Sequence, residues 1–428
     1  MPCPARSAVM TDRRTFLTLS AASLAAGVHV AGHPARASRL ANDVIEVGCV
    51  GTGGRATHLM SRLAAIPGVR LAAIPGVRLA AVCDVWDDAR GRGMKASDAK
   101  AVAYTDVRKM LDAGGLDAAL VATPDHQHVP VSAACCEAGL DVYCEKPLTH
   151  SVEEGDRIIK AVRDNDRIMQ VGTQHRSMPH LAEARELLRN GEAGEIYKVR
   201  MTWNRNNPTR GRAPAVDAST VDWDLFLGDA PEQPFDSQRM RNWRWYWDFG
   251  GGIFTDLMVH WADTVRWMLE PGEVTRAVSV GDHFTTAGLW ETPDTVQTLL
   301  SFPSAASAGE AAGKPGPQMH FEGTFANHRD RACAELMGSK ATLYIDRGRY
   351  ELIPQHRSGV TPRERLEAPE KLRGLDFYDE VDGAKYHLEN WIECVRSRAE
   401  PACPVEEGVA SADLAHAANA ALPGRGAA

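Results

Sequence analysis

The chain has 428 residues and a formal net charge of −8, with 24% charged and 44% apolar residues. Its length supplies two or three domains with sizeable cores, and its composition is ordinary for a soluble globular protein. An acidic balance without a long basic run argues against nucleic acid or an anionic membrane surface as a partner.

Residues 1–37 read as a leader and are set apart from the fold. Thr11-Asp12-Arg13-Arg14-Thr15-Phe16-Leu17 carries paired arginines ahead of an apolar run, and Ala35-Arg36-Ala37 offers a small-x-small cleavage site before Ser38. The pattern resembles a twin-arginine export leader, which predicts folding in the cytoplasm and a periplasmic or otherwise exported mature protein. The apolar run falls short of the ~20 residues a membrane span needs, so no stable span is expected.

Val44 to Val50 is a short apolar strand of the kind a parallel sheet buries on both faces. It runs into Gly51-Thr52-Gly53-Gly54-Arg55-Ala56, a G-x-G-x-x-A turn that opens a helix from Thr57 to about Ala65. Gly51 permits the tight turn, Gly53 admits a pyrophosphate to the backbone, and Ala56 lets helix and strand pack closely. The helix N-terminus then presents free N–H groups to phosphates. Next, Arg62 to Val69 recurs as Arg70 to Val77 and begins again at Arg78. Only the third copy leads into Cys83-Asp84, which places the second strand at Leu79–Cys83 and makes one copy an insertion. Asp84 at that strand's end suits the hydroxyls of an adenosine ribose and favours NAD, although Arg90 and Arg92 keep NADP open and Asp84 also reads as a helix N-cap.

A further buried strand, Leu116 to Ala122, ends in Thr123-Pro124-Asp125-His126-Gln127-His128. After one helix, Asp141 to Cys144 delivers Glu145-Lys146-Pro147. The proline keeps Lys146 extended, at the carboxyl end of a strand where open α/β sheets bind ligands. Taken alone, Glu145-Lys146 also reads as a solvated pair at a loop start. The combination VATPDHQH, one short helix and VYCEKPLT, joined to the glycine turn and Asp84, resembles the Gfo/Idh/MocA family (glucose–fructose oxidoreductase, inositol dehydrogenase and rhizopine catabolism). The resemblance implies that Thr123, Pro124, His128, Glu145 and Lys146 line the nicotinamide end of a bound cofactor.

Arg167 to Thr173 is placed as the last strand of the first sheet, giving a Rossmann domain over residues 42–175. Helix Leu181–Asn190 and strands Glu195–Trp203, Glu273–His283, Thr295–Phe302, Ala332–Met337 and Ala341–Ile345 predict an α+β domain over residues 176–428, built on a large, mostly antiparallel, open-faced sheet. Similar proteins associate through that face, so a homo-oligomer is expected. Ten Trp are present, with Trp203, Trp223, Trp243, Trp245 and Trp247 close together. Such a cluster reads as core or, beside Arg and Asn, as a surface for a polar organic substrate. Arg176, Asn204, Arg205, Trp243 and Tyr246 are the substrate candidates.

Gly250-Gly251-Gly252 feeds a helix from about Thr255, on which Asp256, His260 and Asp263 fall at i, i+4 and i+7 on one face. One His with two carboxylates is a poor zinc site, and no metal is expected. In the resembled family this pattern carries the catalytic residues, which match here as Asp256 and His260, with Val259 in place of a common Gly. The nine cysteines show no C-x-x-C spacing and read as free thiols, mostly buried. The resemblance runs from about Ile45 to Ala420. It then stops short of a final strand that relatives usually carry, which puts stability in question.

The reading is an exported NAD(P)-dependent oxidoreductase that moves a hydride between nicotinamide and a carbinol of a sugar, cyclitol or polyol. His260 is expected as general base, because imidazole titrates near working pH. Lys146 is expected to polarise the reacting oxygen, with exchange of roles between the two left open, and Asp256 to orient the imidazole or meet a second hydroxyl. An NAD-dependent glycosidase that oxidises its sugar transiently is the alternative, and a non-catalytic nucleotide-binding protein a third reading.

Overall fold

The computed structural model describes residues 44–66, 76–206, 212–303, 315–367, 373–374 and 381–424. The leader, and with it the paired arginines, lies outside the described residues, as does most of the inserted copy of the repeat.

Six short strands form the first sheet: β1 (Ile45–Val50), β2 (Val77–Cys83), β3 (Val102–Tyr104), β4 (Ala118–Val121), β5 (Asp141–Cys144) and β6 (Met169–Val171). They lie in the order β3-β2-β1-β4-β5-β6, all parallel. Strands β4 and β5 are buried at every residue, as helices on both faces require. Those helices include α1 (Gly54–Ala65), α2 (Asp87–Ala96), α3 (Val107–Ala113), α4 (His128–Glu137) and α5 (Glu154–Asp164). Strand order reverses between β1 and β4, which opens a crevice at their carboxyl ends. Strand β2 starts two residues ahead of expectation, because Val77 and Arg78 extend the ladder opposite Ile45 and Glu46.

The second sheet has the order β14-β13-β12-β11-β7-β10-β9-β8. Its strands are β7 (Ile196–Asn204), β8 (Arg276–Asp282), β9 (Thr295–Ser301), β10 (Gln318–Thr324), β11 (Ala332–Gly338), β12 (Ala341–Ile345), β13 (Arg349–Pro354) and β14 (Arg363–Leu366). Only β7 and β10 pair in parallel; the other neighbours are antiparallel. Residues alternate across it, so Val296, Leu300, Met319 and Phe321 join the core while Val278, Val280 and Leu299 stay exposed on the other face. Strands β10, β13 and β14 had no counterpart among the expected ones.

The chain from β6 to β8 also carries α6 (Pro179–Arg189), the short α7 (Trp223–Leu227) and α8 (Ser237–Arg241), and α9 (Val259–Leu269). Helices α10 (Gly383–Ser397) and α11 (Val405–Ala420) lie late in the chain but return to the first sheet. Leu388, Trp391 and Val395 pack with Leu59, Leu63 and Tyr143, and Val405 and Val409 pack with Val162 and Val171. The first sheet's core is therefore completed by residues expected to belong wholly to the second domain. The eight described cysteines are free and buried. Among the described residues no helix is long and apolar enough to cross a membrane, and no cluster suits a metal ion.

Candidate active site

The turn after β1 depends on glycine. Gly51 has φ +76°, and a Cβ there would meet Thr123 N at 2.6 Å, so both conformation and space exclude a side chain. Gly53 and Gly54 have nothing within 4 Å of a Cβ position and face an open cleft. Gly53 caps α1 without a side-chain hydrogen bond, which leaves the first N–H groups of the helix to an anion. Thr52, expected beside the cofactor, is instead buried. Its N–H donates to Asp84 Oδ2 at 2.6 Å and its hydroxyl to Ala89 O at 2.8 Å. The backbone N–H of Thr52 thus holds the Asp84 carboxylate, which also accepts the Trp86 N–H at 2.9 Å.

Asp84 lines the cleft at the end of β2. Burial raises its pKa, and the N–H groups of Trp86 and Thr52 oppose that rise. It is not the cap of α2, whose N-cap position is Trp86. Arg90 is held away by Asp87 and by the Asp84 carbonyl oxygen, whereas Arg92 lines the cleft against the Trp86 ring.

The loops after β4 and β5 form the middle of the cleft. The ring nitrogens of His128 lie 2.6 Å from Pro147 O and 3.0 Å from Thr123 O, and a neutral ring, with its single N–H, donates to one of the two carbonyl oxygens at a time. Burial pushes its pKa down to about 4, and the imidazole is neutral. Glu145 accepts from Arg55 Nε at 2.8 Å, which ties β5 to the glycine turn. The Lys146–Pro147 peptide is cis. Lys146 Nζ donates to Asp256 O at 2.6 Å and to Asp256 Oδ1 at 3.1 Å, and Arg244 Nε donates to the same carboxylate oxygen at 3.0 Å.

Asp256 sits in a π-helical turn, Phe254–Met258, that leads directly into α9. Such turns are wider than α and recur at functional sites. Burial alone would raise the Asp256 pKa, but Lys146 and Arg244 hold it below the usual carboxylate range. His260 lines the same cleft, between the rings of Trp203 (5.2 Å) and His175 (5.5 Å). Its Nδ1 is buried without a hydrogen-bond partner.

Two expectations for this helix need correction. Asp256 does not orient the imidazole, because Lys146 and Arg244 take its carboxylate. Nor does His260 titrate near working pH: burial, followed by the charges of Lys146 and Arg347, places its pKa well below the ordinary value. Asp263 shares that helix face but does not line the cleft. It lies two turns beyond Asp256, roughly 10 Å along the axis, and is fully buried against Arg176 (2.8 Å) and Ser411 Oγ (2.8 Å).

Of the substrate candidates, Trp243 and Arg205 line the cleft. Arg176 does not, since Asp263 and Glu407 hold it in a buried ion pair. Asn204 turns away and donates to Arg329 O at 2.7 Å. Its neighbours Trp203 and Arg205 point into the cleft, as the two-residue period of a strand requires. Tyr246 is core: its hydroxyl donates to Leu289 O at 2.7 Å, and its ring packs with Phe226 and Phe249.

Sequence reasoning passed over Asp125, Gln174, Arg244 and Arg347, all of which line the cleft. Asp125 and Arg244 sit inside the TPDHQH and WRWYWDFGGG stretches, so proximity to those motifs was an available signal. Arg347, in the turn between β12 and β13, had none. Burial pushes the Asp125 carboxyl up to about 8, against the opposing pull of Lys146 and Arg244, so it keeps its proton at neutral pH. The whole cleft measures about 960 Å³. One end holds the glycine turn and the Asp84 carboxylate; the other gathers Lys146, Asp256 and His260.

Comparison with known proteins agrees with this layout. The family model described as an oxidoreductase family with an NAD-binding Rossmann fold matches residues 45–173, and the Gfo/Idh/MocA C-terminal domain matches residues 181–344. Rhizopine catabolism protein MocA of Rhizobium meliloti is 27% identical over 214 residues, which cover 50% of this chain and 57% of that protein. The chain thus spans little more than half the length of that relative. Myo-inositol 2-dehydrogenase of Thermotoga maritima is 26% identical over 352 residues, covering 80% of this chain and 87% of that protein. In fold, the chain is similar to levoglucosan dehydrogenase in complex with NADH and levoglucosan, with a TM-score of 0.67 at 18% identity over 89% of this chain and 97% of that one.

Proposed function

The chain belongs to the Gfo/Idh/MocA oxidoreductase family, and we propose that it oxidises a carbinol of a sugar, cyclitol or related polyol with NAD as hydride acceptor. One observation carries the proposal: Lys146, Asp256 and His260 converge at one end of a cleft whose other end is the glycine turn and Asp84. The sugar and polyol class is supported by the relatives and fold neighbours, which include inositol and levoglucosan dehydrogenases.

The residues present suit the dinucleotide. The open Gly53 and Gly54 and the uncapped α1 N-terminus would take the pyrophosphate, with Gly51 shaping the turn and Arg55 beside it. Asp84 would take the adenosine ribose, and Thr123, Pro124, His128, Glu145 and Lys146 would line the nicotinamide end. When bound, NAD supplies the ring carbon that accepts the hydride.

The chain's own residues manage the proton and the charge. Lys146, fixed by Asp256, donates a hydrogen bond to the reacting oxygen. His260, neutral at working pH, offers a lone pair to the hydroxyl proton. The cations that make imidazolium unfavourable there, Lys146 and Arg347, also stabilise negative charge developing on the substrate oxygen. The hydroxyl is thereby made more acidic, which lessens what is asked of the base.

The test is a panel of sugars and polyols with NAD and purified protein, followed by absorbance of reduced nicotinamide. Formation of NADH with at least one member is expected. Tight NAD binding without reduction by any member, or glycoside cleavage without net NADH, would reject the reading.

Two further parts belong to the same proposal. Arg13-Arg14 before an apolar run supports export, to be checked by periplasmic yield after both are replaced with Lys; unchanged yield would reject it. The exposed Val278, Val280 and Leu299 on the uncovered sheet face support a homo-oligomer. Light scattering checks this, and a monomer at all concentrations would reject it.

A further inference from the structure

Two buried side chains that the proposed reaction leaves unused, His175 and Thr264, link Arg347 to the backbone of His260. Arg347, in the turn between β12 and β13, donates from Nε to His175 Nε2 at 3.0 Å. His175 Nδ1 lies 2.9 Å from Thr264 Oγ1, and the Thr264 hydroxyl donates to His260 O at 2.8 Å. A guanidinium has no acceptor and a neutral imidazole has one N–H, so His175 accepts at Nε2 and carries its hydrogen on Nδ1. That N–H points to Thr264, whose own hydrogen goes to the His260 carbonyl oxygen one turn earlier in α9. Each donor in the chain is thereby assigned to one acceptor.

The same residues surround the His260 ring. Trp203 and His175 flank it at 5.2 and 5.5 Å, and the Arg347 guanidinium reaches both, standing 4.8 Å from the Trp203 centroid. His175, Trp203 and Thr264 are buried, so a charge fixed among them acts in a low-dielectric setting. A proton on His175 Nε2 would set one N–H against another and a cation against the guanidinium. The ring therefore stays neutral, and burial, followed by the charge of Arg347, holds its pKa well below the ordinary value. The other titratable groups near it, His180, His260 and His387, are imidazoles that burial lowers in the same way.

We propose that His175 is a positioning residue of this site: its neutral, Nδ1-protonated ring holds the Arg347 guanidinium in place against Trp203, beside His260. Among the charged groups that act on His260, Arg347 comes after Lys146 and ahead of Arg55. Fixing that guanidinium fixes how weakly His260 holds a proton, and keeps the same charge near the substrate oxygen that gives the proton up. Thr264 aims His175 from within α9, so the helix that carries His260 also directs the cation acting on it. The inference rests on the oxidoreductase reading for what His260 does but concerns proton affinity, so the two are separable.

The experiment follows hydrogen–deuterium exchange at the imidazole Cε1 against pH, by peptide mass spectrometry of the full nucleotide-free chain, which gives the protonation midpoint of each histidine. His175→Leu is expected to raise the His260 midpoint by about one unit, a tenfold gain in proton affinity, the scale of releasing one nearby charge. His175→Gln, which can still accept from Arg347 and donate to Thr264, should stay near the parent. Adding His175→Leu to Arg347→Gln should raise the midpoint little beyond Arg347→Gln alone, because both changes remove the same charge from the same place. Thr264→Val keeps the test informative if His175→Leu fails to fold, with a rise in the same direction expected. A His260 midpoint unmoved in the folded His175→Leu protein, or in Thr264→Val where only that variant folds, would overturn the proposal. So would a His175→Leu rise that adds in full to that of Arg347→Gln. Failure of the oxidoreductase reading looks different: the midpoints move as expected and no polyol yields NADH.

Discussion

Lys146 and Asp256 lie 110 residues apart in sequence, yet the ammonium stands 3.1 Å from the carboxylate and 2.6 Å from the carbonyl oxygen of the same residue. This link joins the strand end that would face the nicotinamide to the π-helical turn ahead of His260. It makes the lysine a fixed donor rather than a mobile one.

Breaking the link should lower turnover. Lys146→Met is expected to reduce kcat by about two orders of magnitude or more, the usual scale for a group acting on a proton or a developing charge. Asp256→Asn should also reduce kcat while leaving NAD affinity within a few-fold, because the amide still accepts from Lys146 but no longer balances it and Arg244. Steady-state kinetics with fluorescence titration of NADH checks both. Near-normal kcat in either variant would remove that residue from the reaction.

Asp125 ties stability to pH in an unusual direction. Burial pushes its carboxyl up to about 8 in the folded chain, against about 3.9 for a free aspartate. Between these values the folded state binds the extra proton, so stability contributed by this group falls as pH rises through the window. Asp125→Asn removes that dependence. The variant should match the parent near pH 4 and exceed it by a growing margin, of the order of a few kcal/mol, as pH approaches 8. Urea unfolding of the nucleotide-free protein across that range measures it. A variant less stable than the parent at pH 8 would show that Asp125 is ionised and paired.

Arg176 and Asp263 form a buried pair whose role is structural. Asp263→Ala leaves Arg176 with only the half-exposed Glu407. A loss of about 3 kcal/mol is expected in denaturant unfolding, the low end for removing one partner of a buried pair. Folded variant should retain turnover. Unchanged stability with lost turnover would show that Asp263 acts in the reaction instead.

Sequence and structure diverge here for identifiable reasons. The glycine turn and the EKP seam were legible because each rule behind them is local. A positive φ at Gly51, a small residue at Ala56 and a strand end before Pro147 need no knowledge of distant neighbours. Helix spacing put Asp263 on the face of Asp256 and His260 but could not set it apart from them, because equal angular position says nothing about distance along the axis. The substrate candidates failed in part because a strand presents alternate residues, and Asn204 falls on the wrong parity between Trp203 and Arg205. Arg347 and the pairing of Asp256 with Arg244 are products of tertiary packing. Likewise the low basicity of His260 comes from burial and from cations on three other segments, none adjacent to it in sequence.

Cofactor choice should follow Asp84. Its carboxylate, held by the N–H groups of Thr52 and Trp86, would lie against a ribose 2′-phosphate. NAD is expected to bind about tenfold or more tighter than NADP, since such a like-charge contact costs upwards of about 1.4 kcal/mol. Asp84→Ser should narrow the gap, as read by titration with each nucleotide. Equal affinities in the parent would show that Arg92 governs that end of the cleft.

The chemistry proposed for the cleft is hydride transfer from a substrate carbinol to nicotinamide. Its most direct test follows the hydrogen itself: the protein is incubated with NAD and a turned-over sugar deuterated at the reacting carbon, and the NADH formed is weighed by mass spectrometry. One deuterium is expected in the NADH from the parent protein, and NADH formation slowed by about two orders of magnitude or more in His260→Ala. Unlabelled NADH, or sugar converted with no change in the cofactor, would contradict it.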